Sequence, residues 1–142
     1  LVSNPMSDPK SIQKRLETLK DPVVKRRFLR ARTLGLNKKP NRFELRVSTF
    51  LKQYKLTFVY KGNSDFWLGP CQSGRWRNPD FINQDESKKM AILAHGTYWH
   101  QDSEKVDAEL EDYRSLGWKC FIIWEDDLLD SCMMERIRRF VG

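Results

Sequence analysis

Met90-Ala91-Ile92-Leu93-Ala94-His95-Gly96-Thr97-Tyr98-Trp99-His100 joins an apolar run to both histidines of the molecule. The run predicts a buried strand over 88–95. A strand that ends in an imidazole, turns on a glycine and shows two aromatics before a second imidazole suits proton or phosphate chemistry near a sheet edge. Upstream, Asn78-Pro79-Asp80-Phe81 supplies a carboxylate at the start of another strand, 80–83, joined to the first by the polar hairpin Gln84-Asp85-Glu86-Ser87. Downstream, a helix beginning near Ser103 carries Val106, Leu110 and Tyr113 as its buried stripe and stops at Gly117. Trp118 to Trp124 is almost wholly apolar, the pattern of a strand buried on both faces of a sheet. A helix joining strands 88–95 and 118–124 predicts a right-handed crossover. The fold class is therefore α/β, a mixed sheet with helices on both faces.

Further out, Asn41-Arg42-Phe43-Glu44 reads as a capping box opening a helix with Phe43, Val47, Phe50, Leu51 and Tyr54 on one face. Glu44 lies at the flank of that stripe, where it can face a cleft. Lys55 to Tyr60 is β-prone and ends in the turn Lys61-Gly62-Asn63-Ser64. Asp65 to Asn78 reads as a long loop, and its Trp67, Trp76, Arg75 and Arg77 interleave aromatics with arginine as a nucleic-acid surface does. After Trp124, Glu125-Asp126-Asp127 caps a last helix with Met134, Ile137 and Val141 inward and Arg136, Arg138 and Arg139 outward.

Before residue 41 the character changes. Ser7-Asp8-Pro9 and Asp21-Pro22 are twin helix starts, predicting short helices at 9–20 and 22–34 with Gly35 as a stop. Lys25, Arg26, Arg27 and Arg30 crowd the narrow apolar face of the second, and Lys38-Lys39-Pro40 reads as a linker. Residues 1–40 hold 11 Lys/Arg against 3 Asp/Glu, whereas 41–142 hold 15 against 16. A near-neutral domain with a cationic arm has the charge distribution of a polyanion binder, because each Lys or Arg on a phosphate releases counterions. The chain thus divides into a basic helical DNA-contacting segment, 1–40, and a domain, 41–142.

Cys71, Cys120 and Cys132 form no C-x-x-C pair, which argues against a disulfide scaffold or a zinc knuckle. Without an apolar run long enough for a membrane span or a secretory signal, the expected location is intracellular, with no membrane partner. Leu1 in place of an initiator methionine suggests a trimmed or partial chain.

Phosphodiester hydrolysis needs carboxylates for a divalent cation, a base for the attacking water and positive groups for the transition state. Asp80, His95 and His100 lie at neighbouring strand ends in this reading, and Glu44 and Asp107 lie on flanking helices. Each has a plainer reading: Glu44 completes a capping box, Asp80 follows proline in a turn, and Tyr98 and Trp99 pack as a lid.

Pro79-Asp80-Phe81, His95-Gly96-x-x-Trp99-His100, and Leu116-Gly117-Trp118 leading into Trp124-Glu125 resemble the very-short-patch-repair (Vsr) mismatch endonucleases and the related EDxHD homing endonucleases. Both are branches of the PD-(D/E)xK nuclease superfamily, and the likeness spans about residues 41 to 130. Asn4-Pro5-Met6 with the following helix start resembles the "NPM" modules of phage and intron homing nucleases. The resemblance implies a Vsr-like nuclease fold and a Mg²⁺- or Mn²⁺-dependent endonuclease acting on double-stranded DNA, phage-encoded or cytoplasmic. Asp80 would be the principal metal ligand and the backbone carbonyl of Ala94 a second. His100 would be the general base, oriented by an acid on the following helix, with His95 on the scissile phosphate and Glu44 holding metal-bound waters. Asp107 is the carboxylate nearest the orienting position, with Glu109 and Asp102 as alternatives. Tyr98 and Trp99 would wedge between base pairs.

Thr97 and Asp126 stand where the repair enzymes carry zinc-binding cysteines, which favours the homing branch over a mismatch-specific nicking enzyme. A non-catalytic DNA-binding module on a degenerate nuclease fold is the remaining alternative. One site cuts one strand, so a double-strand break calls for a homodimer or two successive events.

Overall fold

A computed structural model describes residues 20–34, 39–63, 66–96, 102–128 and 130–142. In chain order its elements are α1 (Pro22–Leu34), α2 (Arg42–Gln53), β1 (Phe58–Tyr60), β2 (Phe81–Asn83), β3 (Met90–His95), α3 (Ser103–Ser115), β4 (Lys119–Trp124) and α4 (Met133–Val141). The helix expected at 9–20 lies outside the described residues. α1 begins at Pro22, directly after Asp21, whose carboxylate accepts the Val23 N–H at 2.9 Å. α2 opens with the expected capping box: Asn41 accepts the Glu44 N–H at 2.8 Å and Glu44 accepts the Asn41 N–H at 3.1 Å.

The strands form one sheet in the order β1-β2-β3-β4. β1–β2 and β2–β3 are antiparallel, and β3–β4 is parallel, with Met90 opposite Lys119 and His95 opposite Trp124. A parallel pair needs a crossover, and α3 supplies it. The mixed sheet and its flanking helices are therefore as the patterning implies.

Side-chain alternation along β3 assigns a cover to each face. Ile92 points to one side, into a core with Val47 and Leu51 of α2, Phe81, Ile123, and Met133 and Ile137 of α4. Ala91 and Leu93 point to the other, against Leu68, Ile82, Trp118 and Tyr113 of α3. Fully burying an Ile or Leu contributes about 1.5–3 kcal/mol, so both faces hold their helices firmly. His95, two residues past Leu93, projects to the α3 side.

Three expectations are corrected. β4 is the sheet's edge strand and only Ile123 in it is buried, because nothing among the described residues pairs with its outer side. On α3 the buried positions are Val106, Asp112 and Tyr113, while Leu110 is half-covered, so a carboxylate occupies part of the inward stripe. In α4 the inward methionine is Met133 rather than Met134, since the helix starts only there.

The long loop is less open than its composition suggests. Leu68 and Arg77 exchange backbone hydrogen bonds at 2.9 and 2.8 Å, and the Asn78 amide donates to the carbonyls of Lys61 and Phe66, each at 2.7 Å. Gly74, at φ +82, lets the tip turn back. Residues 66–78 are thus a tethered hairpin-like excursion leading into Asp80.

Candidate active site

β2 stops pairing with β3 after Phe81 meets Ile92. The next free donor on β3 is the Ala94 N–H, and the Asp80 carboxylate takes it at 2.9 Å. Asp80 is itself pinned, its carbonyl accepting from the Lys61 and Gly62 amides at 2.7 and 3.2 Å. Its side chain therefore sits at the sheet end, between what the two faces deliver.

From the α2 face come Glu44 and Tyr60. Glu44 is buried to 9% exposure despite its charge, and its negative field and hydrogen-bonding contact act on Asp80. The Tyr60 ring stands edge-on to Phe81 at 5.5 Å, and its buried hydroxyl has no hydrogen-bond partner within 3.5 Å among the described residues. Burial and then the neighbouring Glu44 and Asp80 raise the Tyr60 pKa, keeping it a neutral phenol. Gly62 makes room for this ring: a Cβ there would lie 2.7 Å from the tyrosine oxygen.

From the α3 face comes His95. Its Nε2 lies 2.7 Å from Glu109 Oε1, and its ring stands edge-on to Trp124 at 5.4 Å. Burial pushes the Asp80 carboxyl up to about 7; the Ala94 N–H and the His95 charge work the other way, and Glu44 adds to the rise. A carboxyl so placed is divided between its protonated and ionised forms near neutral pH, and a cation would favour the ionised one.

Behind His95 lies a second group of charges. Arg77 donates through Nε to Asp112 Oδ2 at 2.9 Å, its Nη2 is 2.8 Å from the same oxygen, and its Nη1 forms an ion pair with Glu109 Oε2 at 3.7 Å. Asp112, 1% exposed, also accepts from the Ser73 hydroxyl at 2.8 Å and the Ser73 N–H at 3.2 Å. Burial opposes its ionisation, but the Ser73 and Arg77 bonds outweigh that and hold its carboxyl below the usual range.

The structure thus brings together Glu44, Asp80, Ala94 and His95. Asp107 is on the exposed side of α3, about 200° around the helix from Glu109. His100, Tyr98 and Trp99 lie outside the described residues. Arg77 is turned inward onto carboxylates, while Arg75 is exposed at the tip of the excursion. On α1, Arg26, Arg27 and Arg30 are exposed and share with Val23, Phe66 and Trp67 a cleft of about 220 Å³; Lys25 stacks over Phe28 at 5.7 Å. A cationic helix beside two aromatics suits a nucleic-acid backbone.

Tyr60, Asp112 and Ser73 join the site without having stood out in the sequence. Asp112 carries a usable signal there: it is three residues from Glu109 and adjoins Tyr113, which places it near the inward stripe. Among the described residues, no group of three or more His, Cys, Asp or Glu side chains is placed to hold a metal. Nor is any helix there long and apolar enough to cross a membrane. No family model, curated protein or solved structure matches the chain.

Proposed function

We propose that this chain is a metal-dependent DNA endonuclease of the Vsr-like type, most like the homing branch, with its site at the paired end of β2 and β3. The observation that carries the reading is Asp80: a carboxylate bonded to the Ala94 N–H, crowded by Glu44 and faced by His95. Two hard carboxylates forced together in a poorly solvated site repel each other, and a divalent cation relieves both penalties. The donor set therefore fits Mg²⁺ or Mn²⁺, held by Asp80 and the Ala94 carbonyl with Glu44 on its waters. Two carboxylates and a carbonyl suffice, because Mg²⁺ keeps several waters. The Tyr60 hydroxyl, buried beside Glu44 and Asp80, is a further donor at the same place.

When bound, the cation would polarise the scissile phosphate and acidify a water. The chain's own residues do the rest. His95, fixed between Glu109 and Trp124, presents a ring to the phosphate; His100, named by the family resemblance, would take the water's proton. The basic face of α1 and Arg75 supply sequence-independent attraction to the DNA backbone.

The test is nicking of supercoiled plasmid, including DNA bearing the locus next to the gene, with Mg²⁺ and with EDTA. Wild type should nick only with metal, and Asp80→Ala should bind DNA in a gel shift without cutting. Binding without metal-dependent nicking by wild type on any of these DNAs would instead favour the non-catalytic module. Faster nicking of a T·G duplex than of a matched one would favour the mismatch-repair reading.

A further inference from the structure

We propose that Glu109 is the positioning residue of His95, and that Arg77 and Asp112 serve to hold Glu109 in place. The proposal rests on the nuclease reading for its kinetic consequence, but its geometry stands without it.

An imidazole has two chemically distinct nitrogens, and the one held by a carboxylate carries a proton. In His95 that nitrogen is Nε2, at 2.7 Å from Glu109. Trp124 against the ring limits its other torsion. Together they choose both the ring plane and which nitrogen carries the proton.

Glu109 alone would be a poor anchor, since a glutamate on a helix has several rotamers of similar energy. Here its second oxygen faces Arg77 at 3.7 Å. Arg77 in turn cannot swing away, because Asp112 grips it through two nitrogens at 2.9 and 2.8 Å. Asp112 is saturated by these and the two Ser73 donors, so it does not compete for the histidine. The order Ser73, Asp112, Arg77, Glu109, His95 runs from the tip of the excursion to the sheet end. A buried ion pair adds little net stability over apolar packing, so stability alone is a weak reason for this chain of charges. Orientation of a reacting group is a strong one, since a displacement of about 1 Å can lower a rate by about 10²-fold.

The test uses the full chain labelled with ¹⁵N-histidine. Ring signals of the two histidines are read by two-bond proton–nitrogen correlation and assigned with His100→Gln, and nicking kinetics are measured in parallel. We expect wild-type His95 to carry its proton on Nε2 and its signals to move in Glu109→Ala and in Arg77→Met. kcat should fall by about 10²-fold in Glu109→Ala with KM for DNA nearly unchanged. Glu109→Gln should recover part of the loss, because its amide oxygen still accepts from Nε2. Glu111→Gln, on the same helix and paired with Arg114 at 2.7 Å, should change neither readout. His95 signals that stay put in folded Glu109→Ala, or wild-type kcat in that variant, overturn the proposal. If wild type cuts no DNA, the nuclease reading fails by itself, and the ring signals still decide whether Glu109 sets His95.

Discussion

Replacing Asp80 by Asn should make the metal-free protein more stable at pH 8 while abolishing cleavage. Burial raises the Asp80 carboxyl from 3.8 to about 7, so the folded state resists its ionisation. A group whose folded pKa is raised stabilises the fold fully below its unfolded pKa, and that contribution is lost as pH rises through the folded pKa. At about 1.4 kcal/mol per tenfold, the loss above pH 7 is at most about 4 kcal/mol. Asp80 is largely covered, but part of the rise is repulsion shared with Glu44, so about 2 kcal/mol is the working figure. Asparagine removes the titration but keeps the geometry. Its carbonyl can accept the Ala94 N–H, and its amide can donate to Glu44. Urea unfolding in EDTA at pH 4, 6 and 8 should show the variant equal to wild type at pH 4 and ahead by about 2 kcal/mol at pH 8. A variant no more stable at pH 8, or one whose advantage is as large at pH 4, would refute the reasoning that Asp80 is held against its own charge.

Other expectations follow from the same geometry. Asp112→Ala leaves Arg77 half-buried with Glu109 alone, and should destabilise the fold by about 3 kcal/mol in urea unfolding; a change under about 1 kcal/mol would mean that the guanidinium finds water. Gly62→Ala places a methyl 2.7 Å from the Tyr60 ring end, so it should cost about 1–3 kcal/mol in thermal unfolding and weaken Mg²⁺ affinity along with it. Changing Arg26, Arg27 and Arg30 together to Gln should flatten the log–log salt dependence of duplex binding by up to about 2.7, at about 0.9 for each phosphate no longer neutralised. An unchanged slope would take α1 off the DNA.

Local signals are legible wherever a residue's role is decided by its near neighbours. The Asp21-Pro22 start and the Asn41/Glu44 box fix helix beginnings within a few residues, and both appear where the sequence puts them. The parallel pairing of β3 and β4 follows from the intervening helix alone. Placement across the sheet is not legible in the same way. Trp118 to Trp124 reads as central because an apolar run does not reveal whether a further strand lies beyond it, and here none of the described residues pairs there. Glu109 is legible only as an alternative for the acid that would orient His100, and Asp112 only by its place beside Tyr113. Only Arg77, 35 residues from Asp112 in the chain, and Ser73 make an interior place for that carboxylate. Asp80 beside His95 is expected at a shared sheet end. The pairing of His95 with Glu109, and the crowding of Tyr60 against Glu44, depend on helix rotation and loop tethering that spacing does not encode.

The most direct measurement is an electron paramagnetic resonance titration of Mn²⁺ into the full chain bound to a DNA duplex. One Mn²⁺ per chain should bind, be displaced by Mg²⁺ and be lost in Asp80→Asn while the duplex stays bound. Equal Mn²⁺ binding by wild type and Asp80→Asn would contradict a metal held at the end of β2 and β3.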